Sequence, residues 1–455
     1  MKKYSLLIFL ATMISFWSCE SLDVDPKVND VILPDFNKIE DLQKSLDGVY
    51  SGLKAQGAYT GFVMALGEWP ADNLKISSEN TGQGAIIHEW DYEQGDQSVE
   101  ATWIALYGTI RRANFVILNS ENFQADNKAS ADQFKAEALI IRGLVHYELS
   151  KIFGQGESGL AVPFITDPVD IFQKQARLSR ADVFQKIKDD LNTAIQLMTT
   201  SGASFNVNRV SKPLAYGLLA RIAMDEKNYS EVISNADKAI EFGPELSTIE
   251  TYPMMFGEND EAGEAIFKLT LNPDDQGLND PYYADGVGAR FEPTTDLLDL
   301  YDAADVRLTT NFGDINGKLA IVKFRGAPSN RDFHEPFIMR MSEIYLLRAE
   351  AKAASGDDVA AVRNLDQVRV NRIDGYVSIG ETGDALVQAI RTERRKELAY
   401  EGFRFFDLRR WGMAVNRNDC TSDECVLEAS NFRFIYPIPR AEIFANENME
   451  QNSGY

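Results

Sequence analysis

The sequence predicts a mainly α-helical protein, in which paired helices form an α-superhelical scaffold and long loops with a few short strands form a second face. Apolar residues recur at helical spacing along much of the chain. Two segments, near 212–244 and 342–371, also follow the spacing of tetratricopeptide-like hairpins, whose small residues let two antiparallel helices pack closely. The interval of 19 positions from Ala220 to Ala239 is repeated from Ala349 to Val368 in the second segment. Two copies in phase favour a solenoid-like scaffold.

Further amphipathic stripes predict helices on either side of two irregular insertions. The helices are expected at Asp35–Leu53, Val99–Asn119, Ala131–Phe153, Arg180–Met198 and Lys212–Asp225. The insertion 57–98 lacks periodicity, and the insertion 245–336 contains two short alternating runs typical of strands, Ala265–Leu271 and Leu319–Phe324. Loops as long as 57–98 are usually functional or disordered, and the Trp, Tyr and His side chains in this one favour an ordered loop.

The N-terminus has the pattern of a bacterial lipoprotein. Residues 1–18 combine two lysines with an apolar run that is too short to span a membrane, which predicts a secretory signal peptide. Because the small residue Ser18 precedes Cys19, we expect lipidation at Cys19; the alternative is an ordinary signal peptide with a spare cysteine. Residues 19–34 would then form a polar tether.

The composition limits the class of ligand. The formal charge of the 455-residue chain is −23, and it becomes −25 once Lys2 and Lys3 leave with the signal peptide. Such an acidic chain is not expected to bind nucleic acid or a polyanion, unless a local basic pocket overrides the net charge.

Apart from Cys19, the chain contains only Cys420 and Cys425. In an oxidising exterior a small disulfide loop between them is favoured over two free thiols. No metal or cofactor is expected, because a pair of cysteines does not supply four ligands and the histidines are scattered. These histidines are His88, His146 and His334.

The run Gly154–Gly159 matches the dinucleotide-binding fingerprint letter by letter. That fingerprint requires a strand before it and a helix after it, so that the pyrophosphate meets a helix N-terminus. Here a predicted helix precedes the glycines and Leu160–Pro163 follows them. We therefore interpret the run as the turn that ends a helix.

The segment Arg391–Gly412 is dense in charged and aromatic residues. Glu393, Glu397 and Glu401 recur at intervals of four on one side of a helix, where like charges repel one another. They could be solvated, act as catalytic carboxylates or face arginines. We predict that at least two of them pair with arginines in the interior. The candidate partners are Arg340, Arg348, Arg369 and Arg372.

Several motifs occur in a fixed order along nearly the whole chain. They are Leu22-Asp-Val-Asp-Pro26, Trp103-Ile-Ala-Leu-Tyr107, Asp305-Val-Arg307, Arg340–Ala351, Leu365–Arg369, Arg391–Gly412 and the segment from Tyr436-Pro-Ile-Pro439 to Tyr455. Each motif is weak by itself, but the ordered set is specific. With it, the chain resembles the SusD/RagB family of Bacteroidetes surface lipoproteins. Glu447 and Ser453 stand where this family often has proline.

The resemblance implies a single SusD-like domain at 35–455, with four tetratricopeptide-like hairpins and a loop-rich face. It also implies a lipid-anchored protein of the outer membrane that faces the cell exterior. Such a protein captures oligosaccharides or polysaccharides and delivers them to a SusC-like TonB-dependent transporter, over which it sits as a lid. Some family members are implied to bind peptides, and a RagB-like peptide-binding protein remains the alternative.

Recognition of a glycan requires exposed aromatic faces for the apolar sides of the sugars, and polar side chains for their hydroxyl groups. We predict such a site in the two loops. Its stacking platform would be Trp90, Tyr92, Tyr282 and Tyr283, with Trp69, His88 and Arg290 at the edge or behind it. The alternative is that these rings anchor the loops to the core. The acidic composition favours a neutral glycan.

Two other classes of protein fit the composition. A secreted glycoside hydrolase would need two carboxylates about 5–9.5 Å apart across a cleft, and no motif among the acidic residues marks such a pair. We therefore expect a binding protein and not an enzyme. A tetratricopeptide adaptor would bind a protein partner and no glycan.

Overall fold

Long helices dominate the fold, and the mainly α-helical class is confirmed. The structure is a computed structural model, in which residues Lys38–Tyr455 form one unit. It describes residues 36–156, 159–167, 174–257, 262–272, 275, 281–284, 288–325, 334–420 and 424–455. The predicted signal peptide, Cys19 and the tether lie outside the described residues.

The helices are numbered α1 to α16 in chain order. They are α1 (Ile39–Leu53), α2 (Phe62–Glu68), α3 (Ala85–His88), α4 (Gln97–Asn119), α5 (Lys128–Phe153), α6 (Arg180–Ser201), α7 (Lys212–Asp225), α8 (Tyr229–Phe242), α9 (Tyr252–Phe256), α10 (Thr295–Leu298), α11 (Val306–Asn311), α12 (Met341–Ala354), α13 (Asp358–Val370), α14 (Gly383–Glu397), α15 (Arg404–Trp411) and α16 (Arg440–Ala445). Short 3₁₀ turns occupy Ser120–Phe123 and Phe432–Phe434.

The strands are short and lie mostly in the insertion that follows α8. They are β1 (Leu74–Ile76), β2 (Ala265–Lys268), β3 (Tyr283–Ala284), β4 (Gly288–Ala289), β5 (Phe291–Pro293), β6 (Phe312–Ile315), β7 (Lys318–Ile321), β8 (Phe337–Arg340), β9 (Val415–Asn416) and β10 (Val426–Leu427). They pair as antiparallel ribbons β1–β5, β2–β8, β3–β4, β6–β7 and β9–β10.

The two predicted hairpins are present as α7–α8 and α12–α13, and they share one core. Ala223 of α7 and Val232 of α8 pack with Leu347 and Ala351 of α12 in a single buried cluster. The alanines leave room for the helices to approach closely, and burial of each larger apolar side chain contributes roughly 1.5–3 kcal/mol. The repeated spacing therefore reflects helix packing.

The insertion 57–98 is more regular than its sequence indicates. It contains α2, β1 and α3, which are too short for a periodic pattern to be visible. β1 pairs with β5, with Leu74 opposite Pro293 and Ile76 opposite Phe291, so the two insertions are joined by backbone hydrogen bonds. The glycine run after α5 ends the helix as expected: α5 stops at Phe153 and Gly154 is extended.

The glutamates of Arg391–Gly412 lie in a buried ion-pair network, which confirms the predicted pairing. Glu397 accepts hydrogen bonds from Arg307 and Arg340, each at 2.9 Å, and from Arg372 at 3.0 Å. Glu401 accepts from Arg340 at 2.7 Å. Burial alone would raise the pKa of Glu397, but the three arginines hold it well below its usual value. The carboxylates therefore stay charged in the interior.

Among the four arginines proposed as partners, three face these glutamates. The third glutamate, Glu393, contacts Arg307 at 2.6 Å and Arg369 at 3.1 Å. Arg348 was assigned wrongly, because its contacts are with Asp237 at 2.5 Å and Asn364 at 2.6 Å instead of with these glutamates. The sequence places Arg348 on the right helix but does not show which side of that helix faces α14.

The N-terminal insertion is fixed to the C-terminal segment through Glu68 of α2. The Glu68 carboxylate accepts hydrogen bonds from the backbone N–H groups of Gly402 at 3.0 Å and Phe403 at 3.2 Å, just before α15 begins. Burial raises the pKa of Glu68 to about 7, although these N–H groups act in the opposite direction. Asp72 adds a bidentate ion pair with Arg404 at 2.6 and 2.8 Å.

Candidate functional site

Three of the predicted site residues meet in one buried cluster behind the loop-rich face. Trp69 stacks on Phe291 with ring centroids 5.9 Å apart, and the His88 ring lies 5.7 Å from the same phenylalanine. His88 Nδ1 is 2.7 Å from the carbonyl oxygen of Trp69, and the Trp90 indole N–H donates to the carbonyl of Pro70 at 2.9 Å. His88 Nδ1 and the Trp90 indole N–H are therefore both bonded to the backbone of the same loop.

The predicted stacking platform is not an exposed surface. Only 3% of Trp90 and 1% of Trp69 are accessible to solvent, and Tyr92 and Tyr282 are equally buried. A ring at that depth cannot offer a face to a sugar. These residues instead show the alternative arrangement, in which aromatic side chains anchor long loops to the core.

The tyrosines are also separated from the tryptophans. Tyr92 stacks on Tyr436 at 4.7 Å, close to the C-terminal segment. Tyr282 donates its hydroxyl hydrogen to the carbonyl of Tyr400 at 2.7 Å, beside the buried ion-pair network. Tyr283 lies in β3, and its side chain is outside the described part of the structure. The backbone carbonyl of Arg290 accepts from the side-chain amide of Asn80 at 2.8 Å.

A cavity of about 540 Å³ opens directly above the buried cluster, and we call it the loop-side cavity. Its walls come from β1 and the residues after it, from the end of α3, from β5 and from the segment after β9. The lining side chains that carry polar groups are Lys75, Ser77, Ser78, His88, Glu89, Glu292, Arg417 and Asp419. His88 is therefore the member of the predicted set that reaches a cavity wall.

Arg417 is the most unusual residue of this cavity. Its guanidinium lies 4.1 Å from the centre of the Trp90 ring, and its Nε donates to the carbonyl of Ala71 at 3.0 Å. Both terminal nitrogens, Nη1 and Nη2, are buried and have no hydrogen-bond partner among the described residues. Burial lowers the pKa of Arg417 to about 9. A buried donor without a partner costs about 1–3 kcal/mol, and more for a charged group, so this arrangement is destabilising as it stands.

His88 contributes a neutral ring to the same wall. Burial lowers the pKa of His88 to about 3, and the nearby positive charge of Arg417 acts in the same direction. The ring therefore does not add a second positive charge at neutral pH.

Oppositely charged side chains lie at the rim of the loop-side cavity. Lys75 Nζ is 3.6 Å from a carboxylate oxygen of Glu292 and 3.8 Å from one of Asp419, and all three are partly exposed. Glu89 is exposed beside them. The lining carries two positive side chains, Lys75 and Arg417, and three carboxylates. It is therefore close to neutral and offers both donors and acceptors.

Arg417 and Asp419 lie on a hairpin that a disulfide closes. Cys420 and Cys425 are bonded, with Cα atoms 5.7 Å apart, and they close the ribbon that β9 and β10 form. The backbone N–H of Arg417 donates to the carbonyl of Cys425 at 3.0 Å. The cysteine pair was the one sequence signal near Arg417 and Asp419, which were not predicted.

Within the described residues, no group of three or more His, Cys, Asp or Glu side chains has an arrangement that could hold a metal ion. Nor is any described helix sufficiently long and apolar to cross a membrane.

Two family models match this chain. The model described as "SusD family" matches residues 316–455, and the one described as "Starch-binding associating with outer membrane" matches residues 22–224. The chain belongs to the SusD family. The matched regions include α1 to α7 at one end and α12 to α16 at the other, so both halves of the scaffold carry the family pattern.

Similar proteins support this assignment over the full length. SusD-like protein P2 of Formosa agariphila is 23% identical over 521 residues, and the alignment covers 100% of both chains. A proposed sugar-binding protein from Bacteroides vulgatus has a solved structure with a TM-score of 0.83 and 27% identity, covering 92% of this chain and 99% of that one. Surface glycan-binding protein A from Bacteroides fluxus shares the fold, with a TM-score of 0.75 and 20% identity, covering 91% and 99%.

Proposed function

We propose that this SusD-family protein binds a glycan in the loop-side cavity at the cell surface and delivers it to a SusC-like TonB-dependent transporter. In this proposal an acylated Cys19 holds the protein on the outer membrane, with the cavity facing the exterior. The protein would bind its ligand without cleaving it. The family description, which refers to starch binding and the outer membrane, and the sugar-binding relative from Bacteroides vulgatus support the proposal.

The single observation that carries the proposal is that Arg417 lies at the wall of a polar cavity and its two terminal nitrogens have no hydrogen-bond partner among the described residues. Sugar hydroxyl groups both donate and accept hydrogen bonds, so they match the mixed lining. A shift of the Arg417 side chain would bring its buried terminal nitrogens to a hydroxyl or ring oxygen at the cavity wall, while Glu89, Glu292 and Asp419 would accept from hydroxyl groups. The volume of about 540 Å³ lies within the usual range of ligand pockets, about 300–1,000 Å³.

The same lining favours a neutral glycan. Lys75 and Arg417 contribute two positive charges, and Glu89, Glu292 and Asp419 contribute three negative charges. A uronate or sulfate group would meet three carboxylates against two positive charges, and like charges repel. This preference agrees with the acidic composition of the chain.

The experiment is a screen of neutral plant and algal polysaccharides by electrophoresis in glycan-containing gels, followed by calorimetry with oligosaccharides of the best ligand. Arg417→Met keeps an unbranched side chain at this position and removes the charge that lies over the Trp90 ring, and its affinity should be at least about 10-fold lower. Arg348→Gln, which alters an ion pair far from the cavity, serves as the matched control and should bind like the unmodified protein.

Glu89→Gln is the second variant, because this residue is exposed and its replacement does not disturb the core. It should also weaken binding, by a smaller factor. Unchanged affinity in both variants would contradict the placement of the site. Release of reducing sugar from any polysaccharide would contradict the proposal of binding without cleavage.

A further inference from the structure

A second cavity, of about 310 Å³, lies on the helical side of the molecule, and we call it the helix-side cavity. Its walls come from α5, α6, α7, α12, α14 and α15 and from the segment 429–435. It shares no lining residue with the loop-side cavity. Its volume is sufficient for a small organic molecule.

The helix-side cavity is basic, although the chain as a whole is acidic. Seven lysines and arginines line it against three carboxylates, whereas the net charge of the full sequence is −23. The basic residues are Lys151, Arg180, Arg221, Lys227, Arg394, Arg409 and Arg410, and the acidic ones are Asp225, Glu343 and Asp407. A local concentration of positive charge on an acidic protein attracts anions to that place only.

Some of these arginines are fully used by the fold. Arg221 forms a bidentate ion pair with Glu343 at 2.7 and 2.6 Å, and Arg410 forms one with Glu350 at 2.7 and 3.0 Å. Such forks satisfy the charge of both partners. These ion pairs therefore leave few guanidinium donors of Arg221 and Arg410 available to a ligand.

Three other arginines are not fully satisfied. Arg394 is 4% exposed and pairs through Nε with Asp407 at 2.7 Å, yet its buried Nη1 has no partner among the described residues. Arg180 pairs with Asp225 at 3.1 Å through one terminal nitrogen, and its Nε is likewise without a partner. In the described part of the chain Arg409 meets no carboxylate; it donates to the carbonyls of Lys151 and Phe434.

The pKa of Arg409 agrees with this geometry. Burial and, to a smaller extent, the nearby positive charge of Arg180 together lower it to about 10. Two guanidinium groups that repel each other at the wall of a cavity are stabilised when an anion enters between them. Among the described residues, Arg409 therefore has no carboxylate partner, and Arg180 has a single ion pair, with Asp225.

Aromatic rings complete the lining. Phe403 and Phe406 contribute apolar surface inside the cavity, and Phe432 is 38% exposed at its rim. Its ring also packs edge-on against Tyr455 at 5.0 Å, which holds it in place. A ligand with a ring and one oxyanion would satisfy both kinds of surface.

We propose that the helix-side cavity is a second binding site, which takes a small ring-shaped organic anion, with Arg180 and Arg409 binding its carboxylate or sulfate group. The site is independent of glycan binding at the loop-side cavity. In the free protein Asp225 competes for Arg180, so the ligand must displace this carboxylate. Anion binding should weaken with rising salt, because both groups are near the surface.

The test is calorimetry of the full protein with galacturonate, galactose and inorganic sulfate at low ionic strength. Galacturonate should bind and galactose should not bind at this site. Tighter binding of galacturonate than of sulfate would support the site, because the aromatic rings then contribute to binding. Equal binding of the two anions would overturn the proposal of a ring-shaped ligand. Absence of binding by either anion, or equal binding of galactose and galacturonate, would overturn the site itself.

Two variants with opposite expected effects separate recognition from structure. Arg180→Gln should weaken galacturonate binding by about 10-fold, whereas Asp225→Asn, which removes the competitor, should strengthen it by roughly 3-fold. A purely structural Arg180–Asp225 pair would lower thermal stability in both variants and leave the affinity unchanged, which would contradict the proposal. Arg348→Gln is the control for loss of a comparable arginine–aspartate pair.

The binding proposals for the two cavities can be tested separately. Arg417→Met should leave the affinity for galacturonate unchanged, and Arg180→Gln should leave the affinity for a neutral oligosaccharide unchanged. Loss of neutral-glycan binding in Arg180→Gln would mean that the cavities are one site and would overturn the proposal of an independent second site.

Discussion

The buried ion-pair network and the loop-side cavity both contain buried arginines, but these differ in whether their guanidinium groups have hydrogen-bond partners. In the network, Arg340 and Arg372 reach carboxylates at 2.7–3.0 Å and are completely enclosed. Arg417 is almost as deeply buried, yet its terminal nitrogens have no partner in the described part of the chain. Because an unpartnered buried charge is costly, the first arrangement is typical of a scaffold and the second of a site that awaits a ligand.

The roles expected from residue composition are the reverse of those seen in the structure. The charged segment Arg391–Gly412 has the composition of an active site and is the centre of the scaffold. The aromatic loop 57–98 has the composition of a sugar platform, and its residues Trp69, Trp90 and Tyr92 are buried instead of exposed. Residue type alone does not distinguish these roles; the number of satisfied hydrogen bonds does.

The largest expected effect is in the ion-pair network. Glu397→Gln removes the charge that three arginines share, and breaking a buried pair from one side typically costs about 3–5 kcal/mol. We expect a much lower melting temperature, measured by calorimetry, with unchanged glycan affinity in the protein that remains folded. Normal stability together with lost glycan binding would show that the network takes part in ligand binding. The distinction between scaffold and binding site would then be wrong.

The second prediction concerns buried groups that stay neutral. The backbone N–H of Ile165 donates to His146 Nε2 at 3.3 Å, so Nδ1 carries the hydrogen and donates to the carbonyl of Arg142 at 2.9 Å. Burial lowers the pKa of His146 to about 3. The unfolded chain therefore takes up a proton near pH 6.5 that the folded protein does not, and stability present above that pH is lost as the pH falls towards 3.

Urea denaturation at pH 7 and pH 5 measures this effect. His146 alone should remove about 2 kcal/mol of unfolding free energy between these two conditions. His146→Gln should show a correspondingly smaller pH dependence, since glutamine takes up no proton. Glu68, whose pKa is raised to about 7, acts in the opposite direction and is the same in both proteins. An equal pH dependence in the two proteins would contradict the neutral assignment.

The smallest expected change in stability comes from the disulfide hairpin. The bond between Cys420 and Cys425 closes a short loop, and its removal should cost about 2 kcal/mol or less. The double variant Cys420→Ser, Cys425→Ser should nevertheless bind glycan more weakly, because Arg417 and Asp419 lose their fixed position. Unchanged affinity would show that the ribbon of β9 and β10 holds Arg417 without the disulfide.

The fold was predictable to a large extent because helix packing leaves a periodic pattern. α7 begins and ends at the predicted residues, and α4, α5 and α6 differ from prediction by no more than three residues at either end. The short elements α2 and α3 were missed, because seven and four residues are too few to show a period. Tertiary contacts, such as those of Glu68 and Asp72, fix these elements.

The candidate site was predicted only in part. The sequence pointed to the loop 57–98 and to His88, which line the loop-side cavity, but it could not show that Trp90 is buried next to Arg417. Trp90 has a positive φ of 58°, an uncommon backbone conformation for a tryptophan, and this turns its ring away from the direction that an extended loop would give. Arg417 and Asp419 lie more than 300 residues from the loop in sequence, so no local pattern could connect them to it.

The carboxylate of Glu68 also has a consequence for folding. It bonds to the start of α15 from a position 334 residues earlier in the chain, and Gly67 packs so closely on Gly402 that a side chain on Gly67 would lie 2.0 Å from its carbonyl oxygen. Contacts between such distant segments form late and slow the folding of a chain. The C-terminal helices therefore cannot reach their final arrangement until α2 is in place, and nascent chains should remain incompletely folded until nearly all of the sequence has been synthesised.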